Sequence, residues 1–486
     1  MISGQLSVIS GAKHLRKQAN NLISLFRLND PYRLVLVLVA LIGLRIPFFL
    51  EDLVPTVTVF RWMLIGEQLS GGDVLYRDVY DHIGPLAGWF FQGMDILFGR
   101  SFNASMVVAS VLVFFQSVIF NNLLLSSKAY NEATYLPAYC YILFTALHFD
   151  FLTLSPALLA LTFILLALNN IFKRIDNQTK DELFMGTGIY LGVAALLYLP
   201  SAIFFFVFLI ILIVFSNSLL RRLMLMTLGF LLMLMLAASY AYFKGATAEF
   251  LNFYLYSLWR IDRINYFSDW KVVLILGFPF FLVALSLTVI YLRGKYANFQ
   301  LKFIQSLLFL LAGCGFMMIF TVEKAYFSWI FMMPIAAFFT VHLLLLIRNV
   351  LYSESLNLTV IIVILLLRTY SYDYSRQYEN DYFLKEQAPV ILHDRELLVL
   401  GSDVNAYQQA RVVTPFANWN ISRQLFRETD YYDNLIRIKA AFDEEPPEMI
   451  VDMEGVMLPL FGKIPDLQNQ YVAIPGYPGY YRKVSN

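Results

Sequence analysis

The sequence predicts a polytopic α-helical membrane protein of about eleven transmembrane helices, with amphipathic helices in its first outer loop and a small C-terminal extracytoplasmic α/β domain. Three observations predict it. Of 486 residues, 59% are hydrophobic and only 15% charged, and the mean hydropathy of +0.63 lies far above that of soluble domains. Long apolar runs recur from Leu34 to Tyr370, and Lys and Arg gather in alternate loops between them. After about residue 372 the chain gains charge, Pro and Gly, and alternates short apolar runs with helical patterns.

Residues 1–33 form an amphiphilic cytoplasmic leader carrying Lys13, Arg16, Lys17 and Arg27. The run Leu34–Leu50 is followed by Glu51-Asp52 where a signal peptide would have small residues, which predicts an uncleaved first span. Further spans are expected near Ala104–Leu125, Thr134–His148, Pro156–Phe172, Leu183–Tyr198, Ala202–Asn217, Leu223–Phe243, Val272–Leu292, Phe303–Thr321, Ile330–Ile347 and Leu358–Tyr370. Together they make up a transmembrane domain over residues 34–372. Arg33, Lys128, Lys173, Arg221, Arg293 and Arg348 fall in every second loop, whereas His148–Ser155 and Leu199–Ser201 hold no Lys or Arg. Cationic loops stay on the cytoplasmic side, so the N-terminus is expected there and residues 373–486 on the outer side.

In that tail, Leu397–Gly401 reads as a buried strand and Asp403–Ala410 as a short helix. Tyr432–Phe442 reads as a helix with Leu435, Ile438 and Ala441 on one face, and Met449–Asp452 as a second strand. No Gly-rich phosphate loop follows either strand. A formal net charge of +1 argues against nucleic acid as a partner. Cys140 and Cys314 each lie inside an apolar run, which argues against a disulfide framework.

Residues 51–101 form the first outer loop and concentrate the acids of the membrane half: Glu51, Asp52, Glu67, Asp73, Asp78, Asp81 and Asp95, with His82 among them. Glu51 and Asp52 stand where the first span leaves the hydrocarbon, a place for a hydrated carboxylate base facing a cavity between spans, although two acids also simply mark a span's end. Gly71-Gly72 ends one helical pattern and Pro85 opens the next. His82 beside Asp78 and Asp81 could serve as one arm of an optional divalent-cation site, or the acids could pair with Arg77 to stiffen the loop. The sequence has five His, and the others lie far from His82 along the chain. Arg260, Arg263 and Lys271 lie in a later outer loop, where they could hold an anion or pair with Asp262 and Asp269, and Tyr254, Trp259, Trp270 and Trp329 read as interface-belt aromatics.

The order Gly66-Glu67, Gly72-Asp73, Tyr76-Arg77-Asp78, Gly84-Pro85-Leu86 and Leu97-Phe98-Gly99-Arg100-Ser101 resembles the first outer loop of the GT-C superfamily of glycosyltransferases. The resemblance is to the protein-mannosyltransferase-like and aminoarabinose-transferase-like branch, whose members use polyprenyl-phosphate-linked sugars. It implies that Asp52 or Glu51 supplies the catalytic carboxylate and that Asp78, Asp81 and His82 shape the acceptor pocket. Glu323-Lys324-Ala325-Tyr326-Phe327 looks like the family's Arg-Tyr segment, which adds Lys324 and Tyr326 to the substrate-binding set beside Arg260 and Arg263. Two departures stand out: Leu53-Val54-Pro55 follows the acids, and Ile83-Gly84-Pro85 replaces the Lys-Pro-Pro-like element.

The resemblance implies an inverting transferase of the bacterial inner membrane, with a polyprenyl-phosphate sugar as donor, a lipid, glycan or protein as acceptor, and membrane lipids around it. The other reading is a catalytically inactive scaffold that recruits a protein partner through its outer domain. A transporter is disfavoured by the scarcity of ionisable residues in mid-span.

Overall fold

The computed structural model of the protein describes residues 22–27, 29–50, 53–176, 182–215, 219–259, 264–265, 269–293, 296–347, 349–378, 382–385 and 390–484. Among the described residues up to Tyr378, its α-helices of nine residues or more are, in chain order, α1 (Arg33–Leu50), α2 (Val57–Gly71), α3 (Pro85–Phe98), α4 (Phe102–Ser126), α5 (Leu136–Phe144), α6 (Pro156–Asp176), α7 (Glu182–Leu197) and α8 (Ile203–Phe215). Then follow α9 (Leu219–Phe243), α10 (Asp269–Arg293), α11 (Asn298–Phe320), α12 (Met333–Leu346) and α13 (Val350–Tyr378). Among the described residues, eight helical stretches are long and apolar enough to cross a membrane, and α7 and α8 are shorter apolar helices. The protein is an integral membrane protein.

The expected span at Thr134–His148 is not among these eight long helices. Only α5, nine residues long, is an α-helix there, and all nine are buried. Its neighbours differ at the two ends, since the Tyr135 N–H donates to the Phe26 carbonyl while Asp150 accepts from the Tyr382 hydroxyl, so the chain crosses there as a short helix surrounded by protein. The last span starts earlier than its hydropathy suggests, at Val350. Glu354, one of the polar residues in its first turns, accepts hydrogen bonds from the backbone N–H of Leu22 (3.0 Å) and Ile23 (3.2 Å).

Helices α7 and α9 cross with almost no side chain between them. A Cβ on Gly188 would lie 2.0 Å from the Met226 carbonyl oxygen, and one on Gly229 would lie 2.3 Å from that of Met185. One turn along from Gly188, Gly192 sits against the Met233 side chain, so small residues spaced four apart let the two backbones touch.

The first loop is only partly an interfacial structure. Helix α3 exposes Trp89, Phe90, Ile96, Leu97 and Phe98, as an amphipathic helix on a membrane face would. Helix α2 does not, since eleven of its fifteen residues are buried. It is covered on one side by the bundle, where Trp62 meets Phe327 edge-on at 5.1 Å, and on the other by the C-terminal domain, to which Phe60 and Leu64 contribute core.

That domain contains the five-stranded sheet β4-β3-β5-β7-β6, in which β3 (Glu396–Leu400), β4 (Arg411–Val412) and β5 (Met449–Asp452) run parallel, while β7 (Tyr480–Lys483) runs antiparallel to both β5 and β6 (Tyr471–Ala473). Leu398, Ile450 and Tyr481 share the face covered by α14 (Trp419–Arg427), α15 (Tyr432–Glu444), α16 (Met457–Lys463) and α17 (Pro465–Gln470). Leu397, Val399, Met449 and Val451 point the other way, into the cluster that includes Phe60 and Leu64 of α2. A strap after α13 closes the arrangement: Val57 N–H donates to the Tyr382 carbonyl (2.9 Å), Leu384 N–H to that of Pro55 (3.1 Å), and Phe383 bridges Thr56.

Candidate functional site

Arg61 organises the charged cluster at the seam between the bundle and the C-terminal domain. Thr56, whose hydroxyl accepts from the Val59 N–H, caps α2, and one turn further on the helix turns Arg61 toward the bundle. Its two Nη atoms meet the two Glu323 carboxylate oxygens at 2.5 and 2.6 Å, and its Nε lies 3.2 Å from Asp81 Oδ2. Glu323 stands on β2 (Glu323–Lys324), just beyond α11, and pairs in parallel with β1 (Ile264–Asn265). Burial alone would raise the Glu323 pKa, but the Arg61 guanidinium and His82 overcome that and hold the carboxyl far below its ordinary range.

Asp81 is fixed from three sides. Its Oδ1 accepts from the Ile83 N–H (2.8 Å), and its Oδ2 accepts from Asn418 Nδ2 (2.7 Å) beside Arg61. Asn418 belongs to the C-terminal domain and immediately precedes α14, so the domain directly orients a residue of the first loop. His82 places Nε2 3.3 Å from Glu323 Oε1, and its side chain keeps 16% of its exposure against 2% for Asp81 and 5% for Glu323. Asp81, His82 and Glu323 line one wall of a small cavity of about 40 Å³, which Trp62, Tyr198 and Phe327 also line.

The loop keeps this geometry because Gly84 has no side chain. Its φ of −64° suits any residue, but a Cβ there would fall 2.2 Å from the Leu196 carbonyl oxygen and 2.6 Å from that of Leu197. Gly84→Ala is therefore expected to force the His82 loop off the end of α7 and to destabilise the protein by about 1–3 kcal/mol. Thermal unfolding of the purified variant checks this, and an unchanged midpoint would mean that the loop yields freely.

The other expected residues fall into separate places. Asp78 is a loop staple whose carboxylate takes the Arg77 guanidinium (2.7 and 2.8 Å) and the Val74 N–H (2.8 Å). Asp73 lies at the seam with α15, where burial and the nearby Glu445 and Asp78 push its pKa up to about 6. Tyr326 stacks on His148 with ring centroids 4.1 Å apart, beside Asp150, which accepts from the Phe327 N–H (3.2 Å) and from the Tyr382 hydroxyl. Lys324 is half-buried on β2, in register with Asn265. Glu51, Asp52, Arg260 and Arg263 lie outside the described residues. Tyr254, expected in an interface belt, is fully buried and donates its hydroxyl to the Ala195 carbonyl. Lys271 is buried with Nζ 3.8 Å from the centroid of the Tyr374 ring.

Sequence reasoning missed Arg61 and Asn418 and gave Glu323 no role. A signal was present for two of them: Arg61 sits between Val59-Phe60 and Trp62-Met63, and Glu323 follows Thr321-Val322. Charged residues embedded in apolar sequence are seldom buried unless paired. Among the described residues, no group of three or more His, Cys, Asp or Glu could hold a metal ion.

Among solved structures the chain is similar to ArnT from Cupriavidus metallidurans, a structure bound to undecaprenyl phosphate. The match has a TM-score of 0.52 at 11% identity and covers 93% of this chain and 98% of that one. It shows a shared fold, the GT-C fold that the first-loop resemblance implies. No curated protein sequence matches the chain. A family described as "Family of unknown function (DUF6427)" matches residues 85–376, from the start of α3 to near the end of α13. That match takes in more than half of the sequence, and the chain belongs to this family.

Proposed function

We propose that the protein is an inverting glycosyltransferase that takes a sugar from a polyprenyl-phosphate-linked donor and transfers it to a lipid, glycan or protein acceptor at the face carrying the C-terminal domain. The observation that carries this reading is a small cavity between the first loop and the bundle, lined by Asp81, His82 and Glu323, with Asp81 held by Asn418 of the C-terminal domain. The fold's likeness to a protein whose structure holds undecaprenyl phosphate supports the same class of carrier.

In this reading the first loop supplies the base, with Asp52 or Glu51 as the carboxylate that the resemblance designates. Asp78, Asp81 and His82 shape the acceptor side. Arg260, Arg263 and Lys324 hold the donor phosphate, where fixed cations stabilise charge as the leaving group departs. The parallel pairing of β1 with β2 supports a shared role, because β1 begins one residue after Arg263 and β2 carries Lys324. The N-terminus is cytoplasmic and the C-terminal domain lies on the outer side, as the Lys and Arg distribution suggests, and the family resemblance points to a bacterial inner membrane.

Native mass spectrometry of the detergent-purified protein tests the reading. A co-purifying polyprenyl phosphate is expected in the wild type and in Asp52→Asn, and is expected to be lost from Arg260→Ala/Arg263→Ala. One feature favours the scaffold reading: Arg61 engages both buried carboxylates of the cavity, as a purely structural brace would. A stoichiometric protein partner with no bound lipid in any sample would establish that alternative.

A further inference from the structure

We infer that His82 is the proton acceptor of the small cavity it lines, taking the hydrogen of an acceptor hydroxyl as the sugar is transferred. This rests on the glycosyltransferase reading but assigns the base to a different residue from the acids that the resemblance designates.

The engagement of the cavity's ionisable groups carries the inference. Both Glu323 oxygens are occupied, by Arg61 at 2.5 and 2.6 Å and by His82 at 3.3 Å. Both Asp81 oxygens are occupied as well, by the Ile83 N–H, Asn418 and Arg61. Arg61 turns all three of its nitrogens to these two carboxylates. His82 is the most exposed member of the cluster, and its ring lines the cavity. With Nε2 facing Glu323, a hydrogen on Nε2 would bond that carboxylate and leave the Nδ1 lone pair as the ring's acceptor. This is the arrangement of a base oriented by a third group.

Charge points the same way. Arg61 contributes one positive charge against the two negative charges of Asp81 and Glu323, so the buried cluster carries a net charge of −1 while His82 is neutral. A proton handed to His82 would balance that charge. An additional anion, such as a phosphate, would gain nothing from these walls.

The step balances as follows. The acceptor hydroxyl gives its proton to His82 Nδ1 while its oxygen bonds to the anomeric carbon. The bond from that carbon to the phosphate oxygen breaks, and its electron pair leaves on the polyprenyl phosphate. His82 then releases the proton to water.

The test compares the carrier lipid retained by full-length protein purified from producing membranes. Wild type is expected to hold bare polyprenyl phosphate, the product. His82→Gln is expected to hold the sugar-loaded form, with the loaded-to-bare ratio raised at least about tenfold, since a lost general base slows transfer by roughly 10²–10⁴. His82→Asn keeps an amide near the Nδ1 position but cannot take the proton, and should give the same ratio, so the assignment stays testable if one variant fails to fold. A wild-type ratio in a folded His82 variant, or loaded carrier only in Asp52→Asn, would overturn the assignment and leave the enzyme reading standing. Absence of any polyprenyl lipid from every sample would instead remove the glycosyltransferase reading itself.

Discussion

Arg61→Leu is expected to destabilise the protein by about 3–5 kcal/mol, because it leaves the Glu323 and Asp81 carboxylates buried without their cation. Glu323 is only 5% exposed and cannot recover solvation where it stands. The companion experiment is the double variant Arg61→Leu/Glu323→Leu, which replaces charge by apolar volume and should recover a large part of the loss. Thermal unfolding in detergent reads both.

The pH dependence has a definite sign. The Glu323 pKa is depressed in the folded protein, so its contribution is fully present above the ordinary glutamate value of 4.5 and is lost as the pH falls below it toward the folded-state value. Wild type should therefore lose stability on acidification below that point, and Arg61→Leu/Glu323→Leu should lose less. An Arg61→Leu midpoint equal to wild type would show that Glu323 and Asp81 find other partners.

Gly188→Val is expected to have the second-largest effect on stability. The substituted Cβ would start 2.0 Å from the Met226 carbonyl oxygen, and backbone cannot rotate aside as a side chain can. Helices α7 and α9 must separate, at a cost of roughly 1–3 kcal/mol or more. Gly229→Val pushes on the same crossing from the other side, 2.3 Å from the Met185 carbonyl oxygen. Once either substitution has opened the crossing, the second should cost less than it does alone, so the pair should be less than additive. Unfolding midpoints of the two single variants and the double variant check this. Additive losses would mean that the two glycines act independently.

The membrane character of the chain and the strands of its tail were legible because they depend on local pattern. Hydropathy finds α4, α6 or α11 without reference to any neighbour, and Leu397–Leu400 and Met449–Asp452 are apolar runs of strand length. Helix α5 was less legible, because nine residues enclosed by protein fall short of a full-length span. The charged cluster was less legible for a different reason. Asp81 and His82 stand out beside each other in the first loop, but the residues that hold them come from far along the chain: Glu323 is 262 positions from Arg61 and Asn418 is 337 from Asp81. No window of sequence contains such pairs. Arg61 resembles a misplaced charge until its partner is known.

The distance along the chain between Arg61 and Glu323 also sets an order of events during biosynthesis. At roughly 5–20 residues per second, Glu323 emerges about 13–52 s after Arg61, and the Tyr382 strap that ties down Val57 emerges later still. In that interval the first loop holds a cation whose principal partner does not yet exist, on a helix whose covering domain has not been made. The early part of the chain must therefore wait in an open, water-accessible form, and α2 reaches its final place only after the last span has been inserted. A nascent protein stalled before Glu323 should expose Arg61 and the Trp62 face of α2 to solvent, and so to the quality-control machinery of the membrane.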